Sequence, residues 1–361
     1  MEEDSLIFIP DISGFSSFVN ETEISHSRHI IRELLELIID SDELGMKVSE
    51  VEGDAILFFK KGKIPTREQL QKQAEKTFVA FHQHLSTYAH RRICECGACR
   101  TAPQLSLKFI AHAGPVEEIR IKSHQKLHGS TVIQAHRLLK NSVQGHEYLL
   151  LSDSICSSVE VEKAGFNHGK DHYEDVGEIA YSYQDLRPLR EMVQAAPPVP
   201  DPELIKNPIL HEFSLPHPIG QVYEIISNLD HREAWQKQIK SLTYDKERVN
   251  RAGTRHTCVI GNGEFEIETV NRAPEKEGQV IFGERVEKAP IVDRFTVYYI
   301  LDPAGAHTHV RSEMHYFNRR FPGRLAEPFF RIFGKRNFKK FEANLREALP
   351  QLMSRDSSLE N

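Results

Sequence analysis

The sequence predicts an α+β protein of two domains, and three observations carry that prediction. The chain has 361 residues, and at roughly 150 residues per domain that length calls for two. Between positions 197 and 202 stand Pro197, Pro198, Pro200 and Pro202, a density that forbids helix and central strand and favours an extended spacer. The order of elements differs on its two sides: strands interleaved with helices before it, a series of period-2 strands closed by one long helix after it. The expected division is a first domain over 1–193, a linker over 194–204, a second domain over 205–352 and a frayed tail over 353–361.

Composition narrows the class. With 39% hydrophobic and 27% charged residues the chain can bury a sizeable core, which excludes disordered, collagenous and disulfide-scaffold proteins. The net charge of −6 is unevenly divided, 22 basic against 29 acidic residues in 1–200 and 24 against 23 in 201–361. Neither half is basic enough for a non-specific nucleic-acid binder. The start is acidic, and the first apolar run, 6–10, is too short for a signal or membrane helix. A cytoplasmic protein without a transmembrane segment is expected.

In the first domain 6–10 is a short buried strand and Gly14 punctuates the turn after it. Ile30, Ile31, Leu34, Leu35 and Ile38 fall at helical spacing and predict a helix over 29–40. Residues 47–51 and 55–59 predict a hairpin whose tip presents Asp54. A helix over 68–93 carries Phe78, Phe81, Leu85 and Tyr88 on one face; a strand over 105–111 and a helix over 131–140 follow.

This order brings Asp11, at the end of one strand, and Asp54, on the hairpin tip, to one end of one sheet. Two carboxylates beside a turn with free backbone N–H groups (Ile12, Ser13, Gly14, Phe15) suit a Mg2+-nucleotide site, the oxygens holding metal and the amides phosphate. Aspartates also populate turns as solvated caps.

The motifs sharpen the choice. Phe8-Ile-Pro-Asp11-Ile12-Ser-Gly14-Phe15 resembles the first metal motif of class III nucleotidyl cyclases, and Glu50-Val-Glu-Gly53-Asp54 their second metal hairpin. Leu105-Ser-Leu-Lys-Phe-Ile-Ala-His112-Ala-Gly114-Pro115-Val116 resembles the family's strand ending in His-x-Gly-Pro-Val, and the segment from Gly129 through Ile133 to Arg137 its Gly-x-x-Val-Asn-x-Ala-x-Arg helix. The resemblance implies a ferredoxin-like nucleotidyl cyclase domain over most of the first 190 residues. It further implies Mg2+ or Mn2+ held by Asp11, Asp54 and the Ile12 carbonyl, and a nucleoside triphosphate that is cyclised with release of pyrophosphate. It also implies a homodimer in which Arg137 comes from the partner to stabilise the transition state. Ile133 stands where the family has asparagine, and Glu50 and Lys126 occupy the base-reading positions. His112, in an apolar strand, is expected to be a hydrogen-bonded core residue.

Cys94-Glu-Cys96-Gly-Ala-Cys99 offers three soft thiolates in a tight turn, and His90, with His84 and His82 further back, offers a fourth ligand from the preceding helix. A structural Zn2+ held by Cys94, Cys96, Cys99 and His90 is expected; reduced loop thiols and redox sensing are the alternatives.

In the second domain a strand at 213–215 and a helix over 219–229 precede strands over 254–260, 264–270, 279–283, 293–301 and 307–317. A long helix over 324–349, with Gly334 as a possible kink, ends the domain. The segment 216–230, Trp235, Gly253-Thr254 and Asn344-Leu345 resemble the START-like (SRPBCC) helix-grip family, which implies an apolar cavity for a hydrophobic small molecule. Basic residues interleave with phenylalanines over 319–340; the phenylalanines are expected to grip the cavity, the alternative being an anionic membrane surface. The expected function is a divergent cyclase-like protein coupled to a ligand-binding domain. The alternative is a degenerate cyclase acting as sensor or scaffold.

Overall fold

The computed structural model describes residues 4–20, 24–94, 96–122, 124–155, 165–197, 203–287, 289, 292–318 and 321–356. The centre of the proline spacer, Arg319, Arg320 and the end of the expected tail lie outside them. The chain divides into two compact units, Met1–Ala89 with Cys96–Ala196, and His90–Glu95 with Pro197–Asn361.

The first unit is built around β1 (Asp4–Ser13), which is buried along nearly its whole length. Such a strand sits inside a sheet covered on both faces, which explains its continuous apolar run. It pairs antiparallel with β3 (Ala55–Lys61) on one side and β4 (Ser106–Pro115) on the other. With β2 (Lys47–Glu52), β7 (Tyr148–Ser152), β8 (Asn167–Tyr173) and β9 (Gly177–Asp185) they form a seven-stranded mixed sheet, ordered β2-β3-β1-β4-β7-β9-β8, in which β4 and β7 run parallel. A separate hairpin joins β5 (Glu117–Ile121) to β6 (His124–His128).

Side chains alternate across β1. Ile7 and Ile9 share a cluster with Val132, Ala135 and Leu138 of helix α5 (Ser130–Leu138), while Phe8 stacks on Phe109 at 5.6 Å on the other face. The remaining helices are α1 (Phe15–Asn20), α2 (Ile24–Asp40), α3 (Arg67–Arg91) and α4 (Gly97–Thr101). The expected hairpin is present, turning at Gly53 with φ +64°, a left-handed conformation that costs an L-residue strain. The expected cysteine turn is instead the short helix α4, whose N-terminus is capped by the Cys96 sulfur accepting from the Cys99 N–H.

The second unit has a seven-stranded antiparallel sheet, ordered β10-β16-β15-β14-β13-β12-β11. Its strands are β10 (Ile209–Leu215), β11 (Ile239–Thr243), β12 (Arg255–Ile260), β13 (Gly263–Val270), β14 (Val280–Glu287), β15 (Arg294–Ala304) and β16 (His307–Phe317). Helices α6 (Ile219–Ser227) and α7 (Arg232–Trp235) precede β11, and α8 (Phe321–Asp356) ends the unit. One feature differs from expectation: part of the expected frayed tail, up to Asp356, is helical. The expected long helix runs through Gly334, where a Cβ would come within 2.7 Å of Ile209 Cδ1, so the glycine allows the helix to pack closely on β10.

Asn344 Nδ2 donates to the Trp235 carbonyl at 2.9 Å, and the Trp235 indole donates to the Ile225 carbonyl at 2.8 Å. These bonds join α8, α7 and α6 around the only tryptophan in the chain.

Candidate functional site

Asp11 and Asp54 meet where β1 leaves the sheet. Asp11 is opposite Ala55 in register, and the Ile12 N–H donates to the Asp54 carbonyl at 3.0 Å, so the hairpin tip is tied to the strand end. Gly14 turns the chain at φ +89°, and the Phe15 ring lies within van der Waals reach of Gly53. The Ser13 hydroxyl is buried without a hydrogen-bond partner among the described residues. Asp54 is held above the usual carboxylate range by burial first and by the Asp11 charge second, with Lys108 pulling the other way. A half-sheltered carboxylate whose ionisation is made costlier by burial and by a neighbouring carboxylate suits a cation, which relieves the repulsion.

A cation is already present. Lys108 lies opposite Asp11 in the β1–β4 register, and its Nζ is 3.0 Å from Asp11 Oδ2. A divalent metal at Asp11 must displace this ammonium or work beside it.

The other expected nucleotide residues have protein partners. Glu50 and Lys126 form an ion pair with each other at 3.1 Å. Arg137 grips Asp175 through both Nε and Nη2, in an exposed bidentate pair. Ile133, one turn before Arg137 on the same helix, is 48% exposed, so the two share an outward face. His112 is buried, with Ser152 at 2.7 Å on Nδ1 and Gln134 at 2.9 Å on Nε2. Burial holds it below the usual imidazole range, the hydrogen-bonded core histidine that was expected.

A second constellation is made of sulfur and nitrogen. In the first unit the ligand atoms of His26, Cys96 and Cys99 lie within 4.8 Å of one another, and Cys94 stands two residues before Cys96 in the sequence. His26 Nδ1 is 3.3 Å from Cys96 Sγ and 3.6 Å from Cys99 Sγ. Ligands bonded to tetrahedral zinc at about 2.0–2.3 Å are separated by roughly 3.3–3.8 Å, so the spacings of His26 to Cys96 and Cys99 suit Zn2+, as does the chemistry of the donors. The Cys99 N–H directed at Cys96 Sγ at 3.4 Å is a bond that supports a thiolate ligand. The histidine in the group is His26 of α2, and the expected His90 is not among its members. Nothing local to the Cys-x-Cys-x-x-Cys run pointed to a residue 68 positions upstream of Cys94.

The second unit encloses a cavity of about 430 Å3 between α8 and the sheet, lined mainly by apolar side chains such as Phe265, Val297, Met314 and Phe341. Phe330, Phe338 and Phe341 are buried, as expected of a gripping helix. Phe329 at 75% exposure faces solvent, and Phe333, at 54%, both lines the cavity and reaches its outer surface.

The family model "Protein of unknown function (DUF2652)" matches residues 31–148. Among solved structures, the chain is similar to the guanylate cyclase domain of RhGC from Catenaria anguillulae in complex with GTP. The identity is 19%, over 50% of this chain and 96% of that one, with a TM-score of 0.37. It is also similar to MLL2253 from Mesorhizobium loti, 19% identical over 40% of this chain and 98% of that one, with a TM-score of 0.31. Among the described residues no helix is long and apolar enough to cross a membrane. The uncharacterized protein Rv2561/Rv2562 of Mycobacterium tuberculosis (strain ATCC 25618 / H37Rv) is 34% identical over 156 residues, 43% of this chain and 72% of that protein, and the chain belongs to its family.

Proposed function

We propose that the first unit binds a divalent metal and a nucleoside triphosphate at Asp11 and Asp54, as a divergent class III nucleotidyl cyclase-like domain working as a homodimer. The second unit is a START-like domain that binds a hydrophobic small molecule. The observation carrying the first part is the tying of the Asp54 hairpin tip to the Ile12 amide beside Asp11. It puts both carboxylates at the end of one strand, next to a glycine turn. Asp11, Asp54 and the Ile12 carbonyl would hold Mg2+ or Mn2+, which would supply Lewis acidity toward phosphate oxygens. The backbone amides of the turn at Ile12, Ser13, Gly14 and Phe15 would hold the phosphates. Arg137 is the residue for transition-state charge, and in this chain it must first leave Asp175.

A structural Zn2+ at His26, Cys94, Cys96 and Cys99 belongs to the same proposal. It closes α4 onto α2 and takes no part in chemistry.

Two observations favour a second reading, the degenerate sensor or scaffold. Lys108 neutralises Asp11 without a metal, and Ile133 offers no hydrogen bond where the cyclase pattern has asparagine. A lost donor of that kind costs orders of magnitude in rate. Incubation of the protein with each of the four nucleoside triphosphates and Mn2+, read by mass spectrometry, decides between them. A cyclic product that disappears in Asp11→Ala supports the enzyme. Nucleotide and Mn2+ binding without product supports the sensor, and binding left intact by Asp11→Ala removes the metal site altogether.

A further inference from the structure

The wall of the second unit's cavity contains one buried charged pair, its other charged lining residue being the exposed Lys340. Arg232 and Glu284 both line the cavity, each nearly sealed from bulk water, and Arg232 Nη2 donates to Glu284 Oε2 at 2.6 Å. The guanidinium lies over the Trp235 ring, 4.3 Å from its centroid. The pair leaves polar atoms unused. Arg232 Nε and Nη1 and Glu284 Oε1 are buried without a hydrogen-bond partner among the described residues. The nearest further group, His256 Nε2, lies 3.5 Å from Glu284 Oε1. Burial pushes this imidazole down to about 4, so at neutral pH it brings no charge.

We propose that the cavity takes a mainly apolar ligand carrying one neutral hydroxyl or carbonyl oxygen, bound at Arg232 and Glu284. Sealed, unused donors and acceptors are costly unless something pairs with them. A carbonyl oxygen accepts from Arg232. A hydroxyl does so as well and also donates to Glu284 Oε1. A carboxylate is the wrong group at this pair, because the Arg232 charge is already balanced by Glu284 and the cavity's other cation, Lys340, is exposed rather than sealed beside them. The apolar lining receives the rest of the molecule, which enters past the half-exposed Phe333.

This inference rests on the reading of the cavity as a ligand site, and the experiment separates the two. Trp235 lines the cavity beside Arg232 and is the only tryptophan, so its emission reports binding. The full-length protein is titrated with decan-1-ol, decane and decanoate, and retention of each is checked by native mass spectrometry. Decan-1-ol is expected to bind roughly tenfold tighter than decane, the equivalent of one well-placed hydrogen bond, and tighter than decanoate. Arg232→Leu alone leaves Glu284 buried and unpaired and is prone to misfold. The informative variant is therefore Arg232→Leu with Glu284→Leu, which removes both charges together. It is expected to bind decane at least as well as the wild type and to lose the preference for the alcohol. If decane matches decan-1-ol in the wild type, if decanoate binds tightest, or if the double variant keeps the preference, the neutral-oxygen subsite is overturned while the cavity stands. If none of the three probes binds, both readings fall.

Discussion

If Asp11 holds a metal as proposed, Lys108 is the residue that competes with it. Its ammonium, 3.0 Å from the carboxylate, supplies charge that a divalent ion would otherwise supply, and the two cations repel across a few ångströms of partly shielded space. Replacing Lys108 with Met is expected to tighten Mn2+ binding by about tenfold, measured by titration calorimetry, whereas Asp11→Ala abolishes it. Unchanged affinity in Lys108→Met would show that the lysine and the metal do not compete. At the sulfur site the discriminating pair is His26→Ala and His90→Ala. The wild type is expected to carry one zinc per chain in elemental analysis, the first variant to lose most of it and the second to keep it. Asp11 and Asp54 were legible because a strand end and a hairpin tip are local patterns. Lys108 and His26 were not: both reach their sites through pairings distant in sequence, the β1–β4 register in one case and the approach of α2 to the cysteines in the other.

Helix α8 shows how far an element can be derived from its own residues. Its existence and its buried phenylalanines followed from periodicity, but the reason for a glycine at 334 did not, because that depends on Ile209 and Met314 in other strands. Glycine in a helix interior ordinarily costs about 1 kcal/mol relative to alanine. Here the added methyl would meet Ile209 Cδ1 at 2.7 Å, and Ile209 is itself fully buried. Overpacking of a closed core costs roughly 1–3 kcal/mol. Gly334→Ala is therefore expected to destabilise by about 1 kcal/mol net, visible as a lower urea midpoint. An unchanged or higher midpoint would mean that Ile209 relaxes freely. The strands that sequence reading passed over, β5, β6, β8, β9 and β11, are short or rich in charged and polar residues. β8 and β11 are at the ends of their sheets, where burial imposes little of the alternation that makes a strand legible.

At the scale of the whole molecule, a few ionisable groups are buried while most are exposed, and acid acts on the buried ones. In the second unit His256 sits beside the Arg232–Glu284 pair with its side chain fully enclosed. Its pKa falls from 6.5 to about 4, by burial first; the Glu284 charge opposes the fall and the Arg232 charge adds to it. The unfolded chain thus binds a proton between these values that the folded one refuses. The folded state is unpenalised above about pH 6.5, loses stability as the pH falls through that window, and has lost all that this group can remove below about pH 4. The full loss approaches roughly 3 kcal/mol. Replacing His256 with Leu removes the titrating group and two ring nitrogens that have no hydrogen-bond partner among the described residues. Urea unfolding followed by Trp235 emission, which reports on the second unit alone, is then expected to show a flatter dependence on pH between 6.5 and 4 in His256→Leu than in the wild type. The two are expected to diverge most at the acid end. Parallel curves would mean that the imidazole is charged in the folded protein, with Glu284 rather than burial governing its protonation.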